Sequence, residues 1–85
     1  MIVKVKLFAT LRRFGPTNVK LGESFPVSLD EAANIATLLK KLKITEDQAK
    51  IIMINGNPGE IRTILKQNDV VAIFPPVGGG VGTYT

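Results

Sequence analysis

Val70-Val71-Ala72-Ile73-Phe74-Pro75-Pro76-Val77-Gly78-Gly79-Gly80 joins three kinds of chain in eleven positions. The run from Val70 to Phe74 is continuously apolar and rich in β-branched residues, the pattern of a strand in a sheet interior. Pro75 and Pro76 end it, because proline supplies no backbone donor for a ladder. The three glycines that follow cannot pack a core and are costly to order. The stretch therefore predicts a last sheet strand followed by a thin, flexible arm, with a domain over residues 1–75 and a Gly-rich tail over residues 76–85. Val77 to Gly80 would reach about 13–14 Å when extended. That suits delivery of a glycine carboxylate into a narrow site on another protein, where ATP could activate it as an acyl-adenylate. An untethered terminus that merely frays is the competing reading.

Working back from this strand, Ile51-Ile52-Met53-Ile54 is a second continuous apolar run and predicts a strand buried on both sides. Asn55-Gly56-Asn57-Pro58-Gly59 is turn chemistry, residues 61–65 predict a short strand, and Gln67-Asn68-Asp69 predicts a turn. Ile35, Leu38, Leu39 and Leu42 fall on one stripe of a helix that Asn34 would cap. Lys40, Lys41 and Lys43 complement the negative end of its dipole. At the start of the chain, Val3, Val5 and Leu7 alternate with Lys4 and Lys6, the signature of a half-buried strand, leaving Phe8 as an exposed aromatic at its end. Residues 10–14 predict a helical turn stopped by Gly15-Pro16. Residues 25–29 predict a strand that Pro26 assigns to an edge, and residues 17–21 are a candidate partner for the first strand. The result is an α+β domain, a mixed sheet of four to five strands with one main helix packed across it.

Composition removes most catalytic classes. With 85 residues and 45% hydrophobic content the chain makes one small globular domain. It contains no Cys and no His, so it has no thiol nucleophile, no Ser–His or Cys–His pair and no usual zinc ligand set. The acids Glu23, Asp30, Glu31, Glu46, Asp47, Glu60 and Asp69 sit mostly in turns and helix starts, where capping and solubility account for them. An autonomous enzyme is not expected. The glycine run is no phosphate cradle, which would need a following helix. Neither a signal peptide nor a membrane span is legible, so a cytoplasmic location is the expectation. The net charge of +4 permits contact with nucleic acid or an acidic protein. The basic residues are dispersed and the aromatics do not interleave with them, so surface solubility is the favoured account and a nucleic-acid partner is not expected.

Several strings together resemble one family. Asp69-Val70-Val71-Ala72-Ile73-Phe74-Pro75-Pro76-Val77-Gly78-Gly79-Gly80 resembles the end of the MoaD/ThiS sulfur carriers, and most nearly the MoaD branch, which supplies the small subunit of molybdopterin synthase. Val5-Lys6-Leu7-Phe8-Ala9-Thr10-Leu11-Arg12, Ala33-Asn34-Ile35 with Leu38-Leu39, and Ile54-Asn55-Gly56 resemble that branch in the same order, so the likeness covers residues 1–80. It implies a ubiquitin-like β-grasp. It also implies that Gly80, with Gly79 beside it, carries the chemistry. The Gly80 carboxylate would be adenylated by a MoeB/ThiF-like activating enzyme, which uses the ATP, and converted to a thiocarboxylate. That group would donate sulfur to a pterin precursor of the molybdenum or tungsten cofactor in a MoaE-like synthase subunit, and the carrier itself would bind no cofactor.

The resemblance places a docking patch on Phe8, Pro58 and Phe74, next to Pro75 and Pro76 at the root of the tail. Pro58 stands where the family has a larger aliphatic residue, and Phe74 has a core role as its alternative. The departure is Val81-Gly82-Thr83-Tyr84-Thr85. An amide at Gly80 cannot be adenylated, so the resemblance implies removal of residues 81–85 by a peptidase. Two other functions remain open at this point: a ubiquitin-like modifier joined to lysines through Gly80, and a non-covalent β-grasp interaction module.

Overall fold

The computed structural model of the chain describes residues 1–76. In sequence order these form β1 (Ile2–Leu7), a 3₁₀ helix (Ala9–Phe14), β2 (Phe25–Ser28), α1 (Ile35–Leu42), β3 (Ile51–Ile54), β4 (Asn57–Pro58) and β5 (Val70–Phe74). The five strands make one sheet in the order β2-β1-β5-β3-β4. β1 and β5 run parallel at its centre, with Lys4 beside Val70 and Leu7 beside Ile73, and the remaining pairings are antiparallel.

Alternation in β1 sends Val3, Val5 and Leu7 to one face, and β5 sends Val71 and Ile73 to the same face. Against them pack Ile35, Leu38 and Leu39 of α1, together with Leu11, Phe25, Val27 and Leu65. Burying each such side chain contributes roughly 1.5–3 kcal/mol, and the cluster contains no buried polar or charged residue.

The helix is stopped at both ends by identifiable contacts. Asn34 Oδ1 accepts from the Thr37 N–H at 3.0 Å and from Thr37 Oγ1 at 3.0 Å, as an N-cap does. At the other end Lys43 adopts φ 64°. The Lys43 N–H donates to the Lys40 carbonyl, and the Ile44 N–H donates back to the Leu39 carbonyl at 3.0 Å. That is a Schellman closure, with buried Ile44 as its apolar contact.

Three expectations are corrected. Residues 17–21 form no strand: they fold on themselves, with Val19 N–H donating to the Pro16 carbonyl and Glu23 N–H to that of Lys20, and β2 alone pairs with the outer side of β1. Residues 61–65 form no strand either. Their carbonyls turn toward the start of α1, where Ile35 N–H donates to Thr63 and Ala36 N–H to Ile61, while Leu65 N–H donates to Ala33. The unpaired donors of a helix N-terminus require partners, and here they take backbone that would otherwise enter a ladder. An isolated bridge between Asn34 and Ile64 is all the pairing that remains. The neighbouring strand is instead Asn57–Pro58, within the stretch that reads as a turn, closed tightly by Asn55 (φ 52°) and Gly56 (φ 83°), a geometry that asparagine and glycine tolerate.

The third correction concerns β3, which is not buried on both sides. Ile52 is in the core but Ile51 is 45% exposed, because a single helix covers a single face of the sheet.

Candidate docking face at the root of the tail

Alternation places the other half of every strand on the face opposite α1. Register then sets these residues side by side: Lys4 beside Val70, Lys6 beside Ala72, Met53 beside Ala72, Ile51 beside Phe74, and Pro58 beside Met53. The face is therefore an apolar strip over β5, β3 and β4 with a row of two lysines along β1.

Phe8 and Phe74 close this strip at the end where the chain leaves β5. Their ring centroids lie 4.4 Å apart and the planes differ by 9°. Phe8 continues the pleat of β1 by one residue, and its N–H donates to the Ile73 carbonyl at 3.3 Å. Phe74 is fixed from the other side by the Lys50 N–H, which donates to its carbonyl at 2.9 Å. Both rings are half-buried. This corrects the reading of Phe8 as a lone exposed aromatic, since its neighbour on the parallel strand shields one side. It also removes the core role of Phe74, which lies on the open face. Pro75 is half-buried and Pro76 exposed, directly after the stack.

Of the sequence-derived site residues, Phe8, Phe74 and Pro75 come together at one end, with Pro76 next in the chain. Pro58 lies on the same face at the far edge strand, opposite Met53. Gly79 and Gly80 lie outside the described residues, as do residues 81–85. The sequence reading missed Ile51, Met53, Val70 and Ala72 as surface residues, because a continuous apolar run gives no sign of which alternate residues are covered. The signal that was available is the helix count, since one helix leaves one face of a sheet open.

Among the described residues no group of three or more His, Cys, Asp or Glu is placed to hold a metal ion, and no helix is long and apolar enough to cross a membrane. The hollow bounded by Leu7, Gly15, Val19 and Phe25 is structural. There Arg12 Nη2 donates to the Val19 carbonyl at 3.3 Å, and a Cβ on Gly15 would meet the Phe25 ring at 3.0 Å.

Comparison with known proteins gives a consistent result. The model of the ThiS family matches residues 5–80. Among solved structures, one described as a molybdopterin converting factor, subunit 1, from Pyrococcus furiosus is 29% identical, with a TM-score of 0.65 over 89% of this chain and 98% of that one. Small archaeal modifier protein 1 from H. volcanii is 22% identical, with a TM-score of 0.67 over 89% of this chain and 98% of that one. A chain of the complex of subunits 1 and 2 of the molybdopterin-converting factor from Helicobacter pylori is 24% identical, with a TM-score of 0.57 over 94% of this chain and 100% of the other. No curated protein matches the chain.

Proposed function

This chain belongs to the ThiS family of ubiquitin-like β-grasp proteins, and on that premise we propose that it is a sulfur carrier for pterin cofactor synthesis, active once Gly80 is its free C-terminus. The observation that carries the reading is the family match, which runs through Gly78-Gly79-Gly80. An open apolar sheet face at the root of the tail, closed by the Phe8–Phe74 stack, supports the reading.

In this reading the work divides between the apolar strip and the tail that follows it. Phe8, Phe74 and Pro75 seat the domain against the partner, with Pro76 and Pro58 at the margins. Pro75 and Pro76 restrict the exit direction of the chain. Gly79 and Gly80 present nothing wider than backbone to the partner's active site. The Gly80 carboxylate attacks the α-phosphorus of ATP in an adenylating enzyme and releases pyrophosphate. A sulfur donor then displaces AMP to leave the thiocarboxylate. A subunit like the second one in the Helicobacter pylori complex would receive that sulfur, and a peptidase would remove the residues after Gly80 beforehand.

The test is intact mass. The chain ended at Gly80, incubated with ATP, the adenylating enzyme of its own organism and a sulfur donor, should gain the mass of one oxygen exchanged for sulfur. The chain with residues 81–85 attached should not. Exchange in the longer chain without shortening would refute the requirement for processing, and no exchange in either would refute the carrier reading.

A second reading shares the activation step. Small archaeal modifier protein 1 has the same fold, and fold alone does not separate a carrier from a modifier. Conjugates of increasing mass on cellular proteins, dependent on Gly80, would favour the modifier.

A further inference from the structure

We infer that the open sheet face takes a protein partner whose apolar docking strip carries carboxylates along one side only, the side that meets β1. The inference rests on the carrier reading, because it names the chemistry of the partner that reading requires.

Charge on this face is one-sided. Lys4 and Lys6 project from β1, with Ile2 and the uncharged Pro26 and Ser28 of β2 beside them, while Val70, Ala72, Met53, Ile51 and Pro58 extend the face to the other edge. No acidic residue occupies a register position on the face. Asp69, at its margin, is already engaged: Oδ1 accepts from Asn55 Nδ2 at 2.8 Å, and Oδ2 accepts from the Lys66 N–H at 2.8 Å. The ion pair found among the described residues joins the N-terminal ammonium to Glu31, so neither lysine has a carboxylate within ion-pair reach there. A partner covering the strip would bring two ammonium groups against its own surface. Like or neutral groups there are penalised, whereas carboxylates steer the encounter and set its orientation.

The edges of the sheet direct a partner to the face. Met1 and Leu29 exchange both backbone bonds, so the alternation of an antiparallel ladder turns the backbone groups of Ser28 and Pro26 outward. Pro26 has no N–H to offer, and the Ser28 carbonyl is taken by Lys41 Nζ. On the opposite edge Gly59 N–H donates to the Ile52 carbonyl at 2.8 Å, which turns Pro58 outward in the same way. Both edges thus carry a proline where an added strand would need a donor. Nucleic acid fits less well. The two rings of the face are stacked on each other, and the cations form one row beside an apolar surface instead of a groove lined on both sides.

The experiment measures docking of the intact 85-residue chain to the adenylating enzyme of its own organism, by association rate and equilibrium affinity. Docking needs no free Gly80 carboxylate, so its outcome is independent of the mass test above: docking without sulfur exchange would reject the carrier chemistry and leave this inference standing. The variant Lys4→Glu/Lys6→Glu should slow association about tenfold at ~0.01 M salt, and by only about twofold at ~0.15 M, where screening shortens from ~30 to ~8 Å. Lys4→Gln/Lys6→Gln, which matches the Glu side chains in size without their charge, should fall between. Lys40→Glu/Lys43→Glu on the helix should change the rate less than about twofold. Absent docking, unchanged or faster association of the Glu variant, or equal loss in the helix variant would overturn the inference. So would tighter binding of a mixed-sequence RNA oligonucleotide that is lost with the same two lysines.

Discussion

Phe8 and Phe74 stack at 4.4 Å between ring centroids across the parallel pair β1 and β5, on the face that α1 leaves uncovered. Sixty-six positions separate them in the chain, and only the central pairing of the first and last strands brings them together. The stack ties the start of the domain to the residue immediately before Pro75-Pro76, so the position of the tail root depends on that pairing.

The stack should be measurable as a coupling. Phe8→Ala, Phe74→Ala and the double variant, unfolded in urea, should give a coupling energy of about 0.5–1.5 kcal/mol. Additive effects of the two substitutions would mean that the rings contribute independently.

Asn34→Ala should cost about 1 kcal/mol, because it removes the acceptor of the Thr37 N–H at the start of α1. Asn34→Asp should retain most of the stability, since a carboxylate accepts the same bond and also meets the positive end of the helix dipole. Chemical denaturation of the three proteins ranks them.

Leu65 and Ile64 mark which side of residues 61–65 meets the core. Leu65 is 2% exposed and Ile64 is 54% exposed. Leu65→Ala should therefore lose about 2–5 kcal/mol, whereas Ile64→Ala should stay within about 0.5 kcal/mol of the parent. Equal losses in thermal or urea unfolding would contradict the placement of this segment under the start of α1.

Lys43 holds the left-handed position of the Schellman closure at φ 64°, where a Cβ is disfavoured by about 1–2 kcal/mol. Lys43→Gly should raise stability by up to ~1 kcal/mol, part of the relief being offset by the greater freedom of glycine in the unfolded chain. A midpoint that falls would show that the lysine side chain makes a contribution larger than the backbone strain.

Local chemistry made much of the fold legible. The alternation of β1, the Asn34-capped stripe of α1, Pro26 on an edge strand and the proline stop after Phe74 each depend on neighbours within a few residues, and each stands in the structure as the pattern predicts. The elements that differ depend on distant chain. Residues 61–65 have the composition of a strand, yet their carbonyls serve the helix start because the donors of Ile35 and Ala36 lie within reach. Asn57 and Pro58 have the composition of a turn, yet the tightness of Asn55-Gly56 returns them alongside β3.

The site divides along the same line. The sequence by itself determined the chemistry proposed for the end of this protein: a proline stop followed by Gly78-Gly79-Gly80, in a chain without Cys or His, made the glycine carboxyl the candidate reactive group. Residue type and order are sufficient there, because a group presented on bare backbone needs no partner side chain to define it. Only the tertiary structure decided the surface behind that end. Whether Phe74, Ile51 and Met53 lie in the core or on the open face cannot be read from a continuous apolar run. It was settled by one helix covering one side of the sheet, and by a register that lines up Phe8 with Phe74 and sets Lys4 and Lys6 along one margin of the open strip.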